Sequence, residues 1–147
     1  PMTPTGMLGT TAPYGNVERP FDLAKVAIAC GATYVGRSTS YHVQLLTELM
    51  EKALLNKGFS VVEAVTGCPT YFGRMNDVSE PYDMLQYVRD ISTPLVDCTC
   101  HETDNPADAH DKKELMPTGI FRDEERADYA TLYRQKIASV AAKRSAK

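Results

Sequence analysis

The chain reads as an α/β domain, a parallel sheet with crossover helices, on three observations. Helix-like and strand-like stretches alternate from Phe21 to Thr66 in the order helix, strand, helix, strand, the arrangement that parallel pairing with helical crossovers produces. Tyr41 to Lys57 repeats apolar residues at i, i+3, i+4 and i+7, whereas Phe59 to Thr66 is almost continuously apolar apart from Ser60 and Glu63, as a strand covered on both faces would be. At 147 residues the chain suits one domain and is long enough to bury a core.

Residues 1–20 are rich in Pro, Gly and Thr and have neither a helical nor a strand period, so they should run as an extended, turn-rich surface segment. From Phe21 to Ala32 the residues Leu23, Val26, Ala27 and Cys30 share a helical face, with Asp22 near the start and Gly31 placed to end the helix in the left-handed conformation. Thr33 to Gly36 is β-branched and aromatic and reads as a short strand. In the helix from Tyr41 to Lys57, Leu46, Leu49, Met50 and Ala53 form the apolar face, Glu48 and Lys52 an i,i+4 pair, Ser40 the cap and Gly58 the stop. Glu80 to Ile91 makes a further helix starting near Pro81, with Met84, Leu85 and Val88 apolar. Ser92 to Pro117 has almost no periodicity and reads as a long excursion. The last element, Asp123 to about Arg144, carries Tyr129, Tyr133, Ile137 and Val140 along one side, predicting a peripheral amphipathic helix laid on this domain or on a partner.

Composition excludes several functions. A net charge of −3 and a sequence pI of 5.6, with no dense basic block before the last residues, leave no footprint for nucleic acid. No apolar run is long enough to span a membrane, and the opening residues lack the charged and apolar regions of a signal peptide. The expected location is the cytoplasm. There the four cysteines, Cys30, Cys68, Cys98 and Cys100, are expected to be reduced thiols rather than disulfides. Cys30, inside Val26-Ala27-Ile28-Ala29-Cys30, reads as a small buried hydrophobe.

Cys68 is the residue with most chemistry to offer, because it follows the second strand directly in Gly67-Cys68-Pro69-Thr70-Tyr71-Phe72-Gly73-Arg74, and open α/β sheets keep their ligands at the carboxyl ends of strands. Two readings stand side by side: a buried cysteine before a proline turn, or a thiolate aimed by a rigid strand at an iron–sulfur cluster, whose other ligands must come from elsewhere. His42 sits at a helix start, where capping or surface structure is its ordinary role. Arg37 and Arg74 each fall just past an expected strand end, where they would meet an anionic group or pair with an acid. Cys98-Thr99-Cys100-His101 with His110 has the residue types of a zinc site, but not the two- to four-residue ligand spacing, so solvent loop is the expectation. No residue is singled out as catalytic.

Several segments in order, Tyr14-Gly15-Asn16-Val17-Glu18-Arg19-Pro20-Phe21-Asp22, Gly31-Ala32-Thr33-Tyr34-Val35-Gly36-Arg37, Tyr41-His42, Lys57-Gly58-Phe59-Ser60-Val61-Val62-Glu63, Cys68 to Arg74 and later Gly119-Ile120-Phe121-Arg122-Asp123-Glu124-Glu125-Arg126, resemble the thiamine-diphosphate-binding β subunit of 2-oxoacid:ferredoxin oxidoreductases of 2-oxoglutarate type. The resemblance implies a division into residues 1–91, the C-terminal half of a thiamine-diphosphate-binding domain, 92–118, an irregular excursion, and 119–147, a C-terminal helical region. It implies that the complete enzyme oxidatively decarboxylates a 2-oxoacid, leaves an acyl group for coenzyme A, and passes electrons through a 4Fe–4S cluster to ferredoxin. The thiamine cofactor does the carbanion chemistry in such an enzyme, and the protein positions it. The family holds thiamine diphosphate and Mg²⁺ through a Gly-Asp-Gly segment and a later Asn, and its cluster partly through a Cys-x-x-Cys pair; none of these motifs is present here. Only Cys68 carries over as a cluster ligand, with Thr3, Pro4 and Thr5 expected near the cofactor pocket. The implied partners are the missing N-terminal half of the β subunit, an α subunit and ferredoxin. The alternative is a split or truncated half that serves as a non-catalytic interaction module.

Overall fold

In the computed structural model residues 3–97 and 115–145 are described; Cys98, Cys100, His101 and His110 fall outside them. The elements follow as α1 (Leu23–Ala29), β1 (Tyr34–Thr39), α2 (Val43–Leu55), β2 (Ser60–Val65), α3 (Pro81–Ile91), β3 (Ser92–Pro94), β4 (Met116–Asp123) and α4 (Tyr129–Ser145), with short 3₁₀ turns at Gly73–Met75 and Leu95–Asp97. The sheet order is β2-β1-β4-β3. The α/β class stands, and β1 and β2 are parallel from Tyr34↔Ser60 to Thr39↔Val65 with α2 as their crossover.

The sheet is mixed rather than wholly parallel, because β4 returns antiparallel on the other side of β1. The physical reason lies in β1. All six of its residues are buried, and buried backbone N–H and C=O groups need partners on both sides. Met116–Asp123 supplies the second side, with a register shift between Val35 and Gly36. Pro117 and Gly119, the latter at φ +134°, break the strand pattern in the sequence and hid this element. The same double pairing carries β1 past Gly36, where the sequence predicted its end, to Arg37, and pairing with β2 continues the strand through Ser38 and Thr39.

Capping explains the helix ends better than periodicity explains their faces. The Asp22 carboxylate accepts from the Ala24 and Lys25 amides at 3.1 and 3.3 Å, which caps α1. At its other end Gly31, at φ +87°, donates to Ile28 O and Ala32 donates to Ala27 O, the paired bonds of a Schellman motif. The buried face of α1 is Ala24 and Ala27 rather than Leu23 and Val26, and Cys30, its C-cap, is exposed rather than buried. Small side chains let α1 lie close on the sheet, in a core of Ala24, Ala27, Ala32 and Val35 edged by Ile28, Val61 and Phe121.

Of the face expected on α2, Leu49 is fully buried, Leu46 and Ala53 half so, and Met50 exposed. Leu49 packs over Gly36, where an added Cβ would lie 3.0 Å from its Cδ2. On α3, which has Pro81 in its first turn, Met84 and Val88 one turn apart are the buried residues. The expected double cover of β2 is absent among the described residues: Val61, Val62 and Val65 are half-buried, Ala64 is exposed and one edge of the strand has no neighbour. The stripe Tyr129, Tyr133, Ile137 and Val140 is exposed along α4, so this helix is not laid on the described part of the domain.

Candidate active-site cleft

The strand ends build the site. Because β4 runs antiparallel, its start meets the carboxyl ends of β1 and β2, and a cleft of about 550 Å³ opens there. Its walls come from the N-terminal segment (Thr3, Pro4), the start of α1, the end of β2 through Cys68, the Met84 and Val88 face of α3, and Met116. This is where an open α/β sheet receives ligands. Gly67 lets α3 close against the strand end, since a Cβ there would fall on Met84 Sδ and Cγ.

Cys68 occupies the rim of this cleft with an exposed thiol. Its carbonyl accepts from the Phe72 and Gly73 amides at 3.2 and 2.9 Å, while Pro69 O accepts from Arg74 N at 3.1 Å. The turn so closed points the Tyr71 amide at Cys68 Sγ, 3.4 Å away. That amide is the main cause of a thiol pKa held below its ordinary value; desolvation opposes it, and the Thr70 and Phe72 amides add smaller lowering contributions. Of the two sequence readings, a buried cysteine does not match the exposed thiol found here. The residue has the exposure and amide-rich surroundings that favour a thiolate.

Arg37 lies inside β1, not past its end. Its Nε donates to Glu63 Oε2 at 2.6 Å and its Nη2 to Asp22 Oδ1 at 2.5 Å, and its guanidinium stands 4.9 Å from the centre of the Phe121 ring. With two carboxylates already on it, Arg37 is the structural partner of acids rather than a receptor for a free anion. Burial pushes the Asp22 carboxyl up, but the Arg37 hydrogen bond and charge and the Lys25 amide outweigh it and hold the pKa below the ordinary value. Glu63 Oε1 is buried with no partner in the structure. Arg74 is exposed on its 3₁₀ turn and does not line the cleft.

His42 is the N-cap residue of α2, though its ring does not cap the helix. Thr39 Oγ1 accepts from the Tyr41 and His42 amides at 3.3 and 3.2 Å and shares a 2.9 Å hydrogen bond with His42 Nδ1. These contacts hold the imidazole as a structural piece of the turn. It lines a different hollow, between α2 and β3. Thr3 and Pro4 line the cleft, whereas Thr5 does not, its hydroxyl donating to Glu18 O at 3.2 Å.

Two asparagines were not singled out by sequence reasoning. Asn16 folds the N-terminal segment: its Nδ2 donates to Thr3 O and Glu18 O at 2.7 and 2.9 Å. Asn76 ties that segment to the cysteine turn, its Oδ1 accepting from Leu8 N at 2.9 Å and its Nδ2 donating to Leu8 O at 2.9 Å and Phe72 O at 2.8 Å. Asn is at home in loops for this reason, but a bond across 68 positions of sequence leaves no local signal.

Residues 2–64 match the family described as thiamine pyrophosphate enzyme, C-terminal TPP binding domain. The fold agrees with that of a 2-oxoglutarate:ferredoxin oxidoreductase from Magnetococcus marinus solved with 2-oxoglutarate, coenzyme A and succinyl-CoA bound, at a TM-score of 0.62 and 23% identity over 91% of this chain and 45% of that one. Subunit KorB of 2-oxoglutarate synthase from Methanothermobacter marburgensis is 48% identical over 92 residues, 63% of this chain and 32% of that protein. The corresponding subunit from Methanocaldococcus jannaschii is 46% identical over 95 residues, 65% and 35% of the two chains. A 2-oxoacid:ferredoxin oxidoreductase β subunit from Saccharolobus solfataricus is 30% identical over 92% of this chain and 46% of its own length. Over part of its length the chain is thus similar to β subunits of 2-oxoglutarate synthases and of a 2-oxoacid:ferredoxin oxidoreductase. It spans about a third to a half of the length of these relatives.

Proposed function

We propose that this chain is the C-terminal half of the β component of a 2-oxoglutarate:ferredoxin oxidoreductase, and that Cys68 is its ligand to a 4Fe–4S cluster through which electrons leave for ferredoxin. The observation that carries the reading is the Cys68 turn: an exposed thiol at a strand end, facing backbone amides, in a chain that is 48% identical over 92 residues to a 2-oxoglutarate synthase β subunit. A cluster needs soft thiolate donors, and amides directed at a ligating sulfur stabilise its negative charge and raise the cluster's potential. Cys68 fits as one such donor. The remaining ligands belong to the rest of the subunit.

Thiamine diphosphate, when bound, supplies the electron sink for decarboxylation. The described residues fit the second wall of such a site rather than its anchor. They offer the strand-end cleft with Thr3 and Pro4 on one side and Cys68 on the other, whereas among them no group of three or more His, Cys, Asp or Glu comes together to hold a metal. Mg²⁺ prefers near-octahedral oxygen ligands, so its site and the diphosphate are assigned to the preceding part of the β subunit. Within this chain, α3 and the N-terminal segment line the cleft, and the turn orients Cys68. The α subunit, ferredoxin and coenzyme A complete the assembly, in the cytoplasm; among the described residues no helix is long and apolar enough to cross a membrane.

The deciding experiment purifies the native complex containing this chain and follows reduction of a low-potential ferredoxin. Reduction should require 2-oxoglutarate and coenzyme A together. A complex with full iron content that reduces ferredoxin with neither, or only with another 2-oxoacid, refutes the assignment.

A further inference from the structure

We propose that α4 of one chain packs along α2 of a second copy of this chain, each copy offering both helices. The pairing uses no residue of the strand-end cleft and does not depend on the reading of Cys68.

Both helices bear an apolar stripe left open among the described residues. Leu49 seats α2 on β1 over Gly36, and away from that contact Val43, Met50 and Leu54 are exposed, Leu54 by 86%. At about 100° per residue these three fall within about 40° of one another around the helix axis. On α4 Tyr129, Tyr133 and Val140 are exposed in an equally narrow sector, and the two tyrosine rings are stacked with centroids 5.6 Å apart. The spacings favour one direction. Read from its end, α2 gives Leu54, Met50 and Val43; read from its start, α4 gives Tyr129, Tyr133 and Val140, with the same steps of four and seven positions. Laid antiparallel, the helices therefore set apolar against apolar at every level over about 16 Å. A parallel arrangement sets Thr47 against Tyr133 and Met50 against Lys136.

Charge complementarity selects the occupant. Every charged residue of α4 is a cation, Arg134, Lys136, Lys143 or Arg144, so a second α4 is repelled. The α2 stripe has exposed carboxylates at its border, Glu51 beside it and Glu48 between it and the hollow that Lys52 also lines. In the antiparallel register Arg134 and Lys136 stand level with Glu48 and Glu51 to within about 3 Å along the axis. Opposite charges beside an apolar seam set partner and direction in helix pairs. Within one chain this contact is not made, since α4 is exposed along its described length. Two copies make it twice, α4 on α2 and α2 on α4, which is the closed, reciprocal form of a two-fold dimer.

The test mixes equal amounts of the chain with natural nitrogen and with heavy nitrogen, then adds a carbodiimide, which joins a carboxylate to an amine only where they touch. Linked peptides are mapped by mass. Links from Lys136 to Glu48 or Glu51 should include mixed light and heavy pairs in statistical proportion. Sedimentation velocity then follows two variants. Arg134→Glu with Lys136→Glu, and separately Glu48→Lys with Glu51→Lys, should each weaken self-association by about tenfold or more, because like charges then face each other. An equal mixture of the two variants should recover wild-type association, each reversed helix meeting its complement. Links confined to one isotope overturn the proposal, since they place α4 on α2 of its own chain. A wild-type chain that lacks these links overturns it too, and if such a chain still associates, another surface such as the edge of β2 is responsible. A mixture no tighter than either variant alone has the same consequence. Should a variant fail to fold, the isotope experiment on the wild-type chain decides alone.

Discussion

Cys68 and Cys30 have the same side chain and are both exposed, yet their surroundings differ. Cys30 closes a helix whose amides are already spent on Schellman bonds, whereas Cys68 opens a turn whose amides converge on its sulfur. Cys68→Ala in the complete enzyme should lower iron content and ferredoxin reduction together, while Cys30→Ala should leave both nearly unchanged; full iron in the Cys68 variant would remove it from the ligand set. Asp22 has a measurable signature of its own. Its folded pKa lies below the ordinary 3.8, so its charge contributes stability above that pH, and the contribution is lost as pH falls through the lower folded value. In urea melts the gap between wild type and Asp22→Asn should be full at pH 5 and above and shrink as pH is taken from 4 toward 2. A gap independent of pH would show that the charge on Asp22 does not stabilise the fold.

At the scale of elements, β1 is the organising strand: α2 and α1 pack on it, β2 and β4 pair with it, and Arg37 within it binds an acid from α1's cap and another from β2. Leu49 is the side chain by which α2 sits on this strand, 1% exposed and fitted over Gly36. Leu49→Ala should cost about 2 to 5 kcal/mol, the usual range for a buried leucine truncated to leave a cavity; a chemical denaturation difference under about half a kcal/mol would show the contact to be loose. Met50→Ala on the next position, half exposed, should cost far less. The pattern i, i+3, i+4, i+7 identified the helix correctly but overstated the width of its buried face, because the domain as described covers only a narrow strip of it.

At the scale of the molecule, apolar surface is left uncovered in several places among the described residues: one edge of β2, the side chains of Leu54, Leu55 and Phe59, and the stripe along α4. An unpaired strand edge and patches of this kind mark surfaces built to be covered. The isolated chain should therefore associate in sedimentation velocity experiments, and a strictly monomeric chain at tens of micromolar would contradict this. The same incompleteness bears on the cofactor. Isothermal titration with thiamine diphosphate and Mg²⁺ should give no micromolar binding to the chain alone, and such binding by a monodisperse monomer would show that the site is complete within it.

Much of this organisation was legible because it is local. The α1 start and stop were readable from Asp22 and Gly31, since a cap and a left-handed C′ glycine act on their immediate neighbours, and α2 and β2 from periods within one element. Cys68 was legible as a strand-end thiol for the same reason, and its family resemblance rests on contiguous segments. What tertiary structure alone decided is whatever depends on distant residues meeting. The antiparallel return of β4, the extension of β1 through Arg37, the salt bridges from Arg37 to Asp22 and Glu63, and the clasp of Asn76 on Leu8 each join positions far apart in the chain. No period or dipeptide encodes such a meeting, because its driving force is the need of buried backbone and charge for partners, and the chain finds those partners only once the sheet has formed.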